Sequence, residues 1–512
     1  MSFSSLDQAL RRRLVFTLLR VAGAIRSLLT TSEQTYKLLF LPGFEGMRWR
    51  FGKWHAWLAF EQARKHVPAY RDFLAGHGDP RVRPRGLDPD LTAIPITDKP
   101  GYVERYSVEE RCRDGAIPTA GVVDESSGTS GAPSNWVRGT HELAQVKQAM
   151  QVALHHQLGR EPIFVLNAFA LGPWATGMNV SMSVVDIAIL KSVGPDVAKI
   201  VNTLKLFGPG YHYLLTGYPP FLKIVADAIE IDWAQFDVTA IFGGEGISEA
   251  MRTYLLRSFR HVYGSYGASD LEINLAAEND FTIALRRLLA ERPDLQERLV
   301  RVESGELPLI LQYNPIDYYM ESNEDGELIV TLCRTRNAAP KIRYNIRDLG
   351  HVIRFPELRR VLTEAGVALE ELSPRRSDLP VLFLYGRADA AVAYFGCKIT
   401  PGNIQEALFS LPELADTVVS FALLVSEDAE ANKRLAIALE LGAGRSVPDS
   451  ELEELRRRLL DRLAELNQDY REAERFMPKD AVPTLELHEH GTGPFTGQDI
   501  RLKTHYVRRS TA

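Results

Sequence analysis

The chain is 512 residues long, with 45% hydrophobic and 25% charged residues and a formal net charge of −6. Such a length and balance describe a globular protein of two or more units, each able to bury a core, and give no basic excess that would make nucleic acid a partner. Three cysteines, Cys112, Cys333 and Cys397, are too scattered for a disulfide framework or a paired-cysteine zinc site, so a reducing compartment, the cytoplasm, is expected.

At the N-terminus, Arg11-Arg12-Arg13 precedes the apolar run Leu14 to Leu19, but Arg20 interrupts that run and Arg26 breaks any stretch of spanning length. Neither a secretion signal nor a transmembrane segment is expected; a basic amphipathic helix remains, packed on the body of the protein or lying on a membrane surface. Residues up to about 100 read as mostly helical, with residues 1–60 as an N-terminal helical extension and Trp54 to Glu61 carrying apolar groups on helical spacing. The prolines of Val67-Pro68-Ala69-Tyr70-Arg71 and Ile94-Pro95-Ile96-Thr97-Asp98-Lys99 punctuate this region. From about 120 to 350, short β-rich runs such as Pro162 to Leu166 and Ala240 to Phe242 alternate with helical stretches such as Ser248 to Phe259, which is an α/β pattern. Glu278 to Val302 is charged and helix-favouring, and reads as a surface insertion. Beyond Gly386 the chain becomes a small α+β unit, with a strand over Arg434 to Leu441 and a helix from about Asp449 to Asn467. The expected organisation is a large α/β unit over residues 61–388 and a small α+β unit over 389–512, with the boundary near Asp389.

Chemistry concentrates in three segments. Asp124-Glu125-Ser126-Ser127-Gly128-Thr129-Ser130-Gly131-Ala132-Pro133-Ser134 is a loop of small and hydroxylated residues. Its glycines allow close backbone approach, and its N–H and hydroxyl groups form a concavity that suits a polyphosphate, although a Ser/Gly-rich surface turn has the same composition. It lacks the Gly-Lys-Ser/Thr ending of a Walker A loop. Phe242-Gly243-Gly244-Glu245-Gly246-Ile247-Ser248 follows a strand and opens a helix, where glycines let a flat ring lie against the main chain. Tyr266-Gly267-Ala268-Ser269-Asp270 compresses an aromatic ring, a glycine, a hydroxyl and a carboxylate into five positions. That set suits stacking on a base, a phosphate contact and a magnesium contact, while a plain β-turn is the alternative.

These segments, with Val67 to Arg71, Ile94 to Lys99, Gly326-Glu327-Leu328-Ile329-Val330-Thr331, Ile342 to Leu349 and Tyr385-Gly386-Arg387-Ala388-Asp389, resemble in identity and order the landmarks of the adenylate-forming enzymes, in particular their phenylacetate-coenzyme A ligase-like branch. The resemblance runs from about residue 60 to the C-terminus. It implies a large multi-subdomain adenylation domain with a mobile α+β domain after it, and ATP, Mg2+ and coenzyme A as the reaction's small molecules. Ser126, Ser127, Gly128, Thr129, Ser130 and Gly131 would wrap the ATP phosphates, and Gly244, Glu245, Tyr266, Gly267 and Ser269 would border the nucleotide. Asp348 would accept both ribose hydroxyls, Arg387 would reach the nucleotide from the domain junction, and Asp389 would be the hinge. Magnesium would supply part of the positive charge at the α-phosphate and Lys503 the rest, with Arg501 and a solvated basic tail as competing readings, and Thr129 of the phosphate loop is the second catalytic candidate. Asp270 stands where the family usually has glutamate; it would hold magnesium through a water, or Glu272 would take its place. Pro133-Ser134, Asn345-Ile346-Arg347 and Ala390 are further departures, which mark a divergent branch.

The acid pocket is expected between the strand ending near Leu166 and the Gly243-Gly244 turn, with Phe169, Trp174 and Gly243 as its candidates and ordinary core packing as the alternative. Three functions follow: a ligase passing the acyl group to coenzyme A; an adenylating transferase loading a carrier-protein thiol, an amine or a sugar; or a nucleotide-binding homologue with little turnover. The carboxylic acid itself and homodimerisation are left open.

Overall fold

The computed structural model describes residues 13–19, 42–125, 134–159, 162–172, 175–301, 307–373, 377–387, 391–394, 397–427, 433–475, 477–478, 481–497 and 506–509, together with Leu10 and Val21. Runs of β-branched and aromatic residues, separated by Gly, Pro and Asp, build an eleven-stranded sheet. Half of it is parallel, in the order Ile189–Ser192, Ile163–Asn167, His212–Gly217, Asp237–Gly243, His261–Tyr266. The sheet continues antiparallel through Ala276–Ala277, Leu309–Gln312, Val381–Arg387, Tyr344–Ile353, Glu327–Leu332 and Tyr318–Ser322. Ile163–Asn167 is buried at every position, as a strand of a covered parallel sheet must be.

This topology decides where a site can form. Ligands of parallel α/β sheets bind beyond the C-terminal ends of the strands. Three of these ends carry the segments singled out above: Asn167 leads into Phe169, Gly243 into Gly244-Glu245, and Tyr266 into Gly267-Ala268-Ser269-Asp270.

Residues 278–302 depart from the expected surface insertion. Asn279 caps the helix Asp280–Glu291 through a reciprocal capping box, and a second helix spans Pro293–Leu299. Phe281, Leu285, Leu289, Leu295 and Leu299 are buried together with Ile310, Phe355 and Phe383 in a core of their own. Asp280, Arg287, Glu291, Asp294, Glu297 and Arg298 lie on the outer faces of helices whose inner faces repeat every three to four residues, while Glu278 and Arg286 are buried in ion pairs with Arg252 and Glu249. Near the N-terminus, the helix Glu45–His66 crosses residue 60 and buries Trp54, Trp57 and Phe60 in the main core, while Phe16 of the helical residues 13–19 packs 5.2 Å from Trp57. Among the described residues no helix is long and apolar enough to cross a membrane, and none of the three cysteines, all buried, is in a disulfide.

The C-terminal part has a separate core running from Val392 to Leu485. Its sheet has the order Thr484–His488, Lys433–Leu441, Val418–Glu427, Val507–Arg509, and the helices Pro401–Phe409 and Asp449–Leu466 belong to the same part. It docks on the large part beside the Gly-Gly-Glu turn. Gln405 accepts the Ser248 N–H at 2.7 Å, Glu406 accepts the Ala250 N–H at 3.1 Å, and Arg257 pairs with Asp416 at 3.0 Å. The first two bonds satisfy N–H groups at the start of the helix Glu249–Leu255 that have no partner inside it.

Candidate functional site

The hydroxyl-rich loop is closed at its base by a hairpin. Gly121–Glu125 pairs antiparallel with Asn135–Gly139, with Glu125 opposite Asn135 and Asp124 opposite Trp136. Asp124, almost fully buried, is held by Asn179 at 2.9 Å and by Arg138 at 3.1 Å. Arg138 spends its other nitrogens on the 269–271 turn: it donates to the Ser269 carbonyl at 2.6 Å and to the Leu271 carbonyl. One buried guanidinium therefore ties the base of the loop to the Tyr-Gly-Ala-Ser-Asp segment, 131 positions away in sequence. Arg is suited to this because its fork carries five donors at fixed angles.

Tyr266 points its hydroxyl at Asp348 and donates to Oδ2 at 2.8 Å. Burial, and next the Asp348 charge, push the Tyr266 phenol well above its ordinary value, so it stays a protonated donor. Asp348 lies opposite Arg387 on the antiparallel pair Tyr344–Ile353 and Val381–Arg387. Asp270 receives the Tyr344 hydroxyl at 2.9 Å and the Ser269 hydroxyl at 3.4 Å. The four groups Tyr266, Asp270, Asp348 and Arg387 thus form one cluster, brought together from three strands and the turn that follows one of them. Glu272, the alternative to Asp270, is excluded by its surroundings: it is buried, bonded by Arg334 and takes the Tyr318 hydroxyl at 2.7 Å.

The departures around Asp348 have a structural account. Asn345 is buried; its side chain donates to Glu327 at 2.7 Å and accepts the Arg347 N–H at 2.8 Å, which holds Arg347 at a φ of 67° next to Asp348. The Ile-Pro-Ile-Thr-Asp-Lys segment docks on the same strand. Thr97 bridges Tyr344, with the Asn345 N–H donating to the Thr97 carbonyl at 2.8 Å, and Arg347 reaches Asp98 at 3.3 Å.

Beside this cluster an apolar cavity of about 100 Å3 is lined by Met150, Leu154, Phe169, Val184, Ile241 and Gly243, and reaches Gly244, Gly267 and Ser269 at one end. Phe169 stands edge-on to Tyr218 with centroids 5.3 Å apart. Gly244 has φ +81°, and a Cβ there would come within 2.5 Å of the Tyr218 ring, so the turn needs glycine for both backbone and space. Glu245 accepts the Tyr506 hydroxyl at 2.9 Å, and Tyr506 stacks on Phe421 at 4.5 Å, which brings the end of the chain onto the Gly-Gly-Glu turn.

Three residues that no local motif marked belong to the same region: Arg138, Tyr506 and Lys341. Lys341 is buried with its ammonium 4.5 Å from the Trp136 ring centroid and 5.7 Å from that of Tyr344. Burial, reinforced by the charges of Arg138 and Arg111, pushes this ammonium down to about 7. Glu142, whose carboxylate takes the Ala338 N–H at 2.8 Å, is pushed up to about 7 by burial. Ser126, Ser127, Gly128, Thr129, Ser130, Gly131, Trp174, Asp389 and Lys503 lie outside the described residues.

No family model and no curated protein matches the chain. Solved structures do. The chain matches 2-hydroxyisobutyryl-CoA ligase in its postadenylation state, in complex with 2-HIB-AMP, with a TM-score of 0.65 at 15% identity, over 89% of this chain and 88% of that one. The same ligase in its thioesterification state, with 2-HIB-AMP and CoA, matches with a TM-score of 0.51 at 16% identity, over 92% and 91%. The fold is therefore the one these ligase structures have, α/β with a smaller C-terminal α+β part, and the TM-score is higher for the first state than for the second.

Proposed function

We propose that the protein activates a carboxylic acid with ATP, releasing pyrophosphate and forming an acyl-adenylate, and then transfers the acyl group to coenzyme A as a thioester, as an enzyme of the phenylacetate-coenzyme A ligase type. The observation that carries this reading is the Tyr266 hydroxyl on Asp348 at 2.8 Å, in a cluster that shares its strand ends with an apolar cavity. A nucleotide lying across the Gly244 turn and Tyr266, with its ribose on Asp348, would present its α-phosphate at the cavity mouth beside Gly267 and Ser269. An acid seated in the cavity would meet that phosphate there. Holding the two reactants in line makes the displacement effectively unimolecular.

Asp270 fits a magnesium contact. Two hydroxyls donate to its carboxylate, which leaves acceptor capacity, and no group of three acidic, histidine or cysteine side chains occurs among the described residues, so a metal would complete its shell with phosphate oxygens and water. Bound there, Mg2+ would neutralise charge on the departing pyrophosphate. Lys503 would add charge at the α-phosphate, a role favoured by Tyr506, three positions on, lying against Glu245. Thr129 and its neighbours would cradle the phosphates from the loop whose base Arg138 anchors. Asp389 would act as hinge between an adenylating unit up to 388 and a mobile unit beyond it, and the closer likeness to a postadenylation state supports the docked arrangement as the adenylating one. A cavity of this size is of the order of one that accepts benzene, which favours a compact aryl or short branched acid over a long fatty acid.

The test is ATP-pyrophosphate exchange against a panel of aryl and aliphatic acids, followed by AMP release with and without coenzyme A. Acid-dependent exchange with stimulation by coenzyme A is expected. Exchange without that stimulation would redirect the acyl acceptor to a carrier protein, an amine or a sugar, and absence of exchange with every acid would overturn the reading.

A further inference from the structure

The apolar cavity runs back from the strand ends along one face of the parallel sheet, and the register there gives each lining side chain a depth. Gly243 pairs with Ser265 in the row at the mouth, and Ile241 lies two residues further in, between Thr216 and Tyr263 on the neighbouring strands. At about 3.3 Å per residue, this second row stands about 6.6 Å behind the first. Its outer members are spent on the protein: Thr216 donates its hydroxyl to Asn167 at 3.1 Å, and Tyr263 donates to Asp280 at 2.7 Å. On the central strand every residue from Val238 to Gly243 is buried except Ile241, which keeps part of its surface free. Met150 and Leu154 of the helix Thr140–Leu158, with Val180 and Val184 of the helix Ala175–Val184, cover this face and pack against it, so that free surface opens on the cavity. Apolar surface left unburied inside a covered sheet is surface for an apolar ligand to bury. The way to it is clear, because Gly243 has no side chain where a Cβ would come to 3.5 Å from the Phe169 ring. No partner for a second charge waits there: among the described lining residues only Tyr263 and Glu278 ionise, and Glu278 is taken by Arg252 and by the Gly264 N–H, both at 2.6 Å.

We propose that Ile241 is the end wall that sets the length of the carboxylic acid: the carboxylate lies at the Gly243 row, and the far end of an uncharged body rests on Ile241. The inference rests on the adenylating function proposed above and adds a substrate class to it, monocarboxylic acids with a ring-sized or short branched body and no second charge. An isoleucine that only packed the core would affect stability and every acid alike. An end wall changes the ranking of the acids.

ATP-pyrophosphate exchange over straight-chain acids from butyrate to decanoate, with benzoate, phenylacetate and adipate beside them, tests this in the wild-type chain, Ile241→Ala and Ile241→Phe. Ile241→Ala is expected to raise the ratio of kcat/KM for octanoate over butyrate by about tenfold or more, the discrimination that one or two methylenes carry, and Ile241→Phe to lower it by a similar factor. KM for ATP should stay within about twofold in both. Adipate should remain a poor substrate beside hexanoate in all three chains. A ratio unchanged in both variants, or adipate used as well as hexanoate, would overturn the inference. A wild-type chain that exchanges with no acid at all would instead refute the proposed function, so the two failures are distinct. If Ile241→Ala does not fold, the ratio in Ile241→Phe, which fills the cavity rather than emptying it, decides alone.

Discussion

Replacing Tyr266 with phenylalanine isolates the bond on which the nucleotide site depends. The ring is 7% exposed and belongs to the main core, so the substitution keeps packing and removes one hydroxyl, 2.8 Å from Asp348. A hydrogen bond to a charged group contributes about 1.5–3 kcal/mol when fully buried. Asp348 is only half-buried, which brings the expected loss to about 1–2 kcal/mol. If Asp348 holds the ribose, that loss appears as an ATP dissociation constant about five- to thirtyfold higher. Because the phenol's pKa is raised by burial and by Asp348, the donor is protonated throughout the neutral range and the effect is flat with pH there. Calorimetry with ATP, paired with urea unfolding, is the assay. Unchanged ATP affinity alongside a loss of stability would show that the bond only fastens two strands, and the ribose assignment of Asp348 would fall with it.

Tyr506→Phe, which frees Glu245 from the end of the chain, should slow adenylation several-fold in a pre-steady-state assay and leave thioester formation from preformed acyl-adenylate unaffected; equal effects on both steps would remove the link between this contact and the docked arrangement. Gly244→Ala forces a Cβ to 2.5 Å from Tyr218 at a φ of +81°, at a backbone cost of about 1–2 kcal/mol, and should raise KM for ATP and for the acid together, more than about tenfold. Leu285→Ala should cost about 2–5 kcal/mol in urea unfolding with KM and kcat unchanged, because Leu285 is fully buried in the core built by the 280–299 helices, which is separate from the core that holds Tyr266. Lys341 titrates near 10.5 when unfolded and at about 7 when folded, so between those values the unfolded chain binds more protons and stability rises with pH. Lys341→Met should flatten that slope in unfolding curves from pH 7 to 10 and leave the chain no less stable at pH 7.

What was legible in the sequence follows from how local each signal is. The Gly-Gly-Glu turn could be read because its conformation requires glycine at Gly244, and Tyr266 to Asp270 because an aromatic ring, a glycine, a hydroxyl and a carboxylate seldom share five positions without a reason. Phe169 was legible from an apolar run leaving a strand. Arg138, Tyr506 and Lys341 were not: each acts on partners that are distant in sequence, and an isolated basic or aromatic residue carries no spacing to recognise. Arg138 illustrates this, since its role depends on carbonyls 131 and 133 positions away. The 278–302 stretch was misjudged because its charge content outweighed an apolar repeat at Phe281, Leu285 and Leu289 that spans only two turns and a half. Glu272 looked interchangeable with Asp270 from two positions away, yet a turn separates their surroundings, and only Asp270 faces the cluster with Tyr344.

A crystal structure of the chain soaked with ATP bears most directly on the account. It predicts the adenine against the Gly244 turn and Tyr266, the ribose hydroxyls on Asp348 and the triphosphate running towards Asp270 and the hairpin closed by Glu125 and Asn135. Nucleotide density at any other surface, with this cluster holding only solvent, would contradict it.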